Sequence, residues 1–104
     1  GALEVVALSS AFELWKEAQW MHHCADKFAD RCAKGGLLIV SIRKAGRTRP
    51  LATAALRRDD GAWSLEAITG FANAHAPDEA VRAAAEALER LNELAAAGAA
   101  ARVA

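Results

Sequence analysis

Residues 36–43 read Gly36-Leu37-Leu38-Ile39-Val40-Ser41-Ile42-Arg43, and the fold turns on how this run is interpreted. Branched aliphatics dominate it and its length is that of a strand, which argues for a β-strand with much of its surface buried. Lys44-Ala45-Gly46-Arg47 follows as a turn. Residues 51–57 then form the next strand-like run, after Pro50, whose missing N–H suits a strand's first position. Asp59-Asp60-Gly61 is a second turn signal and leads into residues 62–69, AWSLEAIT. Three strands joined by two short turns predict an antiparallel meander.

Working back towards the N-terminus, Gly35-Gly36 supplies a left-handed stop for a helix over about residues 23–34, where Cys24, Phe28, Arg31 and Cys32 recur at helical spacing. Before it, Ser10 and Glu13 have capping-box spacing at the start of another helix reaching about Trp20. Ala11, Leu14, Trp15 and Ala18 read as that helix's inner face. Residues 3–8, LEVVAL, are an entering strand. In the other direction, residues 70–76 form a loop. Pro77-Asp78-Glu79 then opens a last helix, with Val81, Ala84, Ala85, Leu88, Leu91 and Leu94 as its buried stripe. Beyond Leu94 the chain is nearly all alanine with Gly98, so residues 95–104 are expected to fray. The order is β-α-α-β-β-β-α. The fold class is α+β, an antiparallel sheet of three to four strands with helices packed on one face.

Composition sets the scale. One domain fits 104 residues, with Gly1-Ala2 resembling a tag remnant. Alanine accounts for 28 residues, so the 54% hydrophobic content overstates the core. Trp15, Trp20 and Trp63 are expected as its anchors. No run of 18 or more apolar residues is present, so no membrane association is expected. No leader-like layout is visible, and Cys24 and Cys32 lie about 12 Å apart along one helix, too far for a disulfide. Reduced thiols and a cytoplasmic location follow as the simpler reading.

Net charge is zero, but its distribution is uneven. No acid occurs between Asp30 and Asp59, an interval carrying eight of the thirteen cations. Among them Arg43, Lys44, Arg47 and Arg49 cluster at a hairpin tip, and Arg57 and Arg58 end the next strand. Such a surface suits phosphate contacts with nucleic acid. It equally suits charged hairpins that keep edge strands from pairing. Aromatics do not interleave with these cations in sequence, which gives base stacking little support.

A second constellation is Met21-His22-His23-Cys24. A Cys–His pair acts as a nucleophile when the thiolate is stabilised by a nearby imidazole and a helix N-terminus. His22, His23 and Cys24, with Asn73 from the 70–75 loop, are the candidate catalytic set. The bland reading makes Met21 and Cys24 core, one histidine internal and hydrogen-bonded, and the other solvated. For the loop, that reading is a tight turn with Gly70 at positive φ and Asn73 bonded to its own backbone. His22, His23, Cys24, Cys32 and His75 lack the paired spacing of metal motifs, so neither a metal nor another cofactor is expected.

These residues also carry a family resemblance. Leu14-x-x-Glu17-Ala18, Met21-His22-His23-Cys24 with an aromatic four residues on, and Gly35 come first. Ile39-x-Ser41-Ile42, Ala52-Thr53, Trp63 and Gly70-x-x-Asn73 follow in order. Taken together, over roughly residues 8–92, the pattern resembles the PcfJ-like domain family. The resemblance implies a domain of conjugative-element and phage proteins, with no established chemistry to carry over. It also implies that the 70–75 loop lies near the histidines. The family has tyrosine where this chain has Phe28 and glycine where it has Ala18. The expected function is a nucleic-acid-associated accessory module of a mobile genetic element, working through its basic hairpin. The alternatives are a Cys/His-dependent enzyme with its site at Cys24 and the 70–75 loop, and a protein-interaction or assembly domain.

Overall fold

The meander forms, and the N-terminal strand joins it as a fourth member. A computed structural model describes residues 2–23 and 25–103, the side chains of 25, 26 and 99–103 excepted. Its elements are β1 (Leu3–Ala7), α1 (Ala11–Met21), a 3-10 turn (Ala25–Phe28) leading into α2 (Ala29–Ala33), β2 (Leu37–Lys44), β3 (Pro50–Asp59), β4 (Ala62–Thr69), a short turn (Phe71–Asn73) and α3 (Asp78–Val103). The sheet order is β1-β2-β3-β4 and every pairing is antiparallel. The α+β class and element order are those expected.

The helices, however, divide between both faces instead of sharing one. Side chains alternate along a strand, so Val40 and Ile42 point opposite to Ile39 and Ser41. Val40, Ile42, Ala52, Ala54 and Leu56 pack with Ala80 and Ala84 of α3. Leu37, Ile39 and Ala55 pack on the other side with Leu8, Leu14 of α1, and Phe28, Ala29 and Cys32. A strand buried on both faces reads as a near-continuous apolar run, and 37–42 is such a run, interrupted by Ser41. Alanine has its place here: Ala52 and Ala54 on β3 and Ala80 and Ala84 on α3 are all essentially inaccessible, so that helix and sheet meet with little side chain between them.

The capping box at the start of α1 is present with a shifted return bond. Ser10 Oγ accepts from the Glu13 amide at 3.1 Å, while the Glu13 carboxylate accepts from the Ser9 amide and hydroxyl. Those Ser9 bonds hold the Glu13 carboxyl below the usual carboxylate range. Helix α1 buries Leu14, Glu17, Ala18 and Met21. Trp15 and Trp20 therefore face outward, 50% and 45% exposed, and are not core anchors; only Trp63 packs against the α3-side core. The displaced stripe has a physical cause: Glu17 occupies an inner position because a partner on β3 satisfies it. The helix over 78–103 continues past Leu94, as a segment of strong helix formers can.

Candidate functional site

The break between α1 and α2 builds the site. Helix α1 ends at Met21, and His22 adopts the left-handed conformation (φ 53°), its N–H and that of His23 both donating to the Ala18 carbonyl. A β-carbon makes this conformation costly, on the order of 1–2 kcal/mol. The reversal carries His23 back over the sheet, where its Nε2 lies 2.9 Å from Thr53 Oγ1. Thr53 in turn donates its hydroxyl proton to Glu17 Oε2 at 2.6 Å. With that proton committed to Glu17, the Thr53 oxygen accepts, so the His23 tautomer protonated at Nε2 completes the bond. The result is a directional chain, His23 to Thr53 to Glu17, with its carboxylate almost fully buried.

Arg43 supports the chain from behind. Its Nε donates to Ser41 Oγ at 2.9 Å, and its Nη2 lies 3.8 Å from Glu17 Oε1. Ser41, Thr53 and Glu17 are the buried polar side chains on this face of the sheet, and no described buried side-chain polar atom lacks a partner. A satisfied buried network is rigid, whereas a half-satisfied one is costly.

The chain opens onto a cavity of about 360 Å³. His23, Thr53, Thr69 and Asn73 supply its polar groups, and Phe28, Ile39, Ala55 and Ala67 its mainly apolar wall. Asn73 and Ala67 are exposed and mark the mouth. The 70–75 loop reaches the site in the manner the resemblance implies: the rings of Phe71 and His22 lie 4.7 Å apart, and Asn73 shares the cavity with His23. Gly70 is not at positive φ. Its φ is −88°, and glycine is required because a β-carbon there would stand 2.9 Å from the His75 carbonyl oxygen. Left-handed residues in this loop are Ala72 and Asn73 (φ 54° and 63°). Of the left-handed residues, Asn73 lines the cavity itself, while His22 and Ala72 each adjoin a lining residue in the chain.

Of the candidate catalytic residues, His23 and Asn73 line the cavity and His22 clamps the loop, while Cys24 lies outside the described residues. Cys32 is elsewhere, a partly buried thiol packed against the second core, and burial pushes its pKa up. Among the described residues no three His, Cys, Asp or Glu side chains converge to hold a metal ion. Glu17, Thr53, Thr69 and Phe28 join the site without standing out in sequence as site residues. The available signal was polar residues within otherwise buried periodicities: Glu17 among Leu14, Ala18 and Met21, and Thr53 within LATAAL.

The six candidate nucleic-acid cations are not brought together. Arg43 is half-buried and bound to Ser41. Lys44, Arg47 and Arg49 flank the β2–β3 turn. Arg57 and Arg58 lie at the far end of β3, about 25–30 Å away at strand rise. There Arg57 pairs with Asp59 and Glu66, and Arg58 lies over Trp63. Strand direction separates what the sequence lists side by side.

Comparison of the chain with protein-family models, curated proteins and solved structures returns no match. The PcfJ-like resemblance therefore rests on its residues. Among the described residues no helix is long and apolar enough to cross a membrane.

Proposed function

We propose that the domain is a small-ligand enzyme module whose working site is the His23–Thr53–Asn73 cavity, with His23 as its proton-transfer group. One observation carries this reading. Three segments distant in sequence place a histidine, a threonine and an asparagine in one mainly apolar cavity, backed by a buried carboxylate. An apolar pocket with a few convergent polar groups is the usual form of a small-molecule site. A carboxylate that fixes a histidine's tautomer, here through the Thr53 hydroxyl, is a recurring way to orient an acid–base group. The resemblance to PcfJ-like domains supports a setting in a conjugative element or phage.

The test is a fragment screen followed by amide chemical-shift mapping and by turnover assays on the hits. Ligands that shift Phe28, Thr69 and Asn73 together are expected, with turnover lost in His23→Gln while binding remains. A screen whose hits all map away from this cavity would overturn the proposal.

Cys24 follows His23 directly in the chain and favours a second form of the same reading, in which its thiol is the nucleophile. Alkylation kinetics on Cys32→Ser protein address it. A Cys24 thiol reacting faster than a model thiol, with a pH profile displaced in His23→Gln, supports that form. Reaction at the model rate removes the nucleophile role.

A further inference from the structure

Helix α1 has a second apolar face that its own fold does not use. Phe12, Trp15, Lys16, Gln19 and Trp20 recur at i, i+3, i+4, i+7 and i+8, opposite the buried stripe. Phe12 is 64% exposed, and with Trp15 and Trp20 it forms a solvent-facing aromatic row. Scattered surface apolars are ordinary, but three large aromatics on the solvent side of one eleven-residue helix mark a contact surface.

Cations sit against this row. Phe12 and Trp15 stack with centroids 6.1 Å apart and planes 14° apart, and Lys16 Nζ lies 5.6 Å from the Phe12 centroid. Arg49, from the β2–β3 turn, stands over Trp20 at 5.8 Å. A concavity of about 260 Å³ runs between Trp15, Lys16, Gln19 and Trp20. Arg47, exposed, extends the positive charge along the turn. The nearby acids keep their charge but are turned to protein donors, Glu13 to Ser9 and Ser10 and the buried Glu17 to Thr53. The interleaving of aromatics and cations that the sequence lacks is created by folding, which brings the turn beside α1.

We infer that this face binds single-stranded nucleic acid, bases stacking on Trp15, Trp20 and Phe12 while Lys16, Arg47 and Arg49 hold phosphates. Flat π-surfaces with flanking positive charge complement unpaired bases on a polyanionic strand. A duplex hides its base faces and offers only the phosphates. A second copy of this chain would set like charges against one another around the aromatics. The row from Phe12 to Trp20 spans about 12 Å of helix, enough for a few nucleotides.

Tryptophan fluorescence reads the contact directly. Titration with fifteen-residue oligo-dT and oligo-U at low ionic strength is expected to quench emission. Affinity should fall with salt at a log–log slope of about −2, three contacts at roughly 0.7 each. A duplex of the same length should bind at least several-fold more weakly. Trp15→Ala with Trp20→Ala is expected to lower affinity about ten-fold or more, read by anisotropy of a labelled oligonucleotide, with circular dichroism unchanged. Lys16→Ala with Arg49→Ala should flatten the salt slope while leaving the tryptophans in place, a control against misfolding. Three outcomes overturn the inference: no salt-sensitive binding to either oligonucleotide, binding to anionic phosphatidylglycerol vesicles in its place, or self-association abolished by the tryptophan variants.

Discussion

Thr53 is the residue on which most depends. Its single hydroxyl accepts from His23 and donates to Glu17, so it satisfies a buried carboxylate and orients an imidazole at once. Thr53→Val keeps the shape and removes both bonds. It should cost about 1–3 kcal/mol, the usual penalty for stranding a buried polar partner. Thr53→Val with Glu17→Leu should recover part of that loss, because the buried carboxylate is no longer stranded, while His23 and Arg43 still each lose a partner. Urea midpoints of the two variants check this, and an unaffected Thr53→Val would mean that the chain contributes nothing to stability. Gly70 is the second sensitive position. Its substitution by alanine drives a β-carbon into the His75 carbonyl and must displace the loop carrying Asn73. A cost of about 1–3 kcal/mol is expected from overpacking of this kind. Ligand-observed NMR with the screened fragments should also show weaker cavity binding, and unchanged binding would separate the loop from the site. Such residues were only partly legible. A hydroxyl inside an apolar strand is visible in sequence, but its bonding to a helix position 36 residues earlier is not.

At the scale of elements, strands were the most legible and helix faces the least. The run 62–69 begins and ends where β4 does, because a turn signal precedes it and Gly70 follows. The inner face of α1 is rotated by about one step from the apolar stripe, because a buried glutamate reads as solvent-facing until its partner is known. The attachment of α3 to the edge strand was also invisible. Asn92 accepts from the Trp63 amide at 2.8 Å and donates to the Trp63 carbonyl at 2.9 Å, using one side-chain amide as a substitute for a neighbouring strand. An edge strand otherwise presents unpaired groups that invite association. Asn92→Ala should cost about 1–2 kcal/mol for two lost bonds that water can partly replace. Hydrogen exchange at Trp63 should accelerate while that at Ile42, in the sheet centre, stays slow. Equal protection of Trp63 in both proteins would show that Asn92 does not hold the edge.

At the scale of the whole molecule, the two helical layers are legible only once strand burial on both faces is recognised, and the layer carrying the cavity is the lighter one. Alpha-two is five residues long and contributes no fully buried side chain. Its link to the opposite edge of the sheet is electrostatic: Arg31 donates to both Glu66 oxygens, at 3.2 and 2.8 Å, and Arg57 approaches the same carboxylate at 3.9 Å. The Arg31 hydrogen bonds hold the Glu66 carboxyl below the usual carboxylate range, outweighing the burial that would raise it. A carboxyl depressed in the folded state stabilises above its unfolded pKa, and that contribution disappears as pH falls through the lower folded value. Acidification below the ordinary carboxylate range should therefore loosen the α2 side first. Glu66→Gln should lower the urea midpoint near neutrality and make its decline with acid shallower than in the parent. Salt should narrow the difference between the two proteins, because the pair is partly exposed and screened. Parallel midpoint-versus-pH curves for the two would show that this ion pair does not couple the layer to the sheet. The α2 layer, which brings Phe28 to the cavity, would then be held by the packing of Phe28, Ala29 and Cys32.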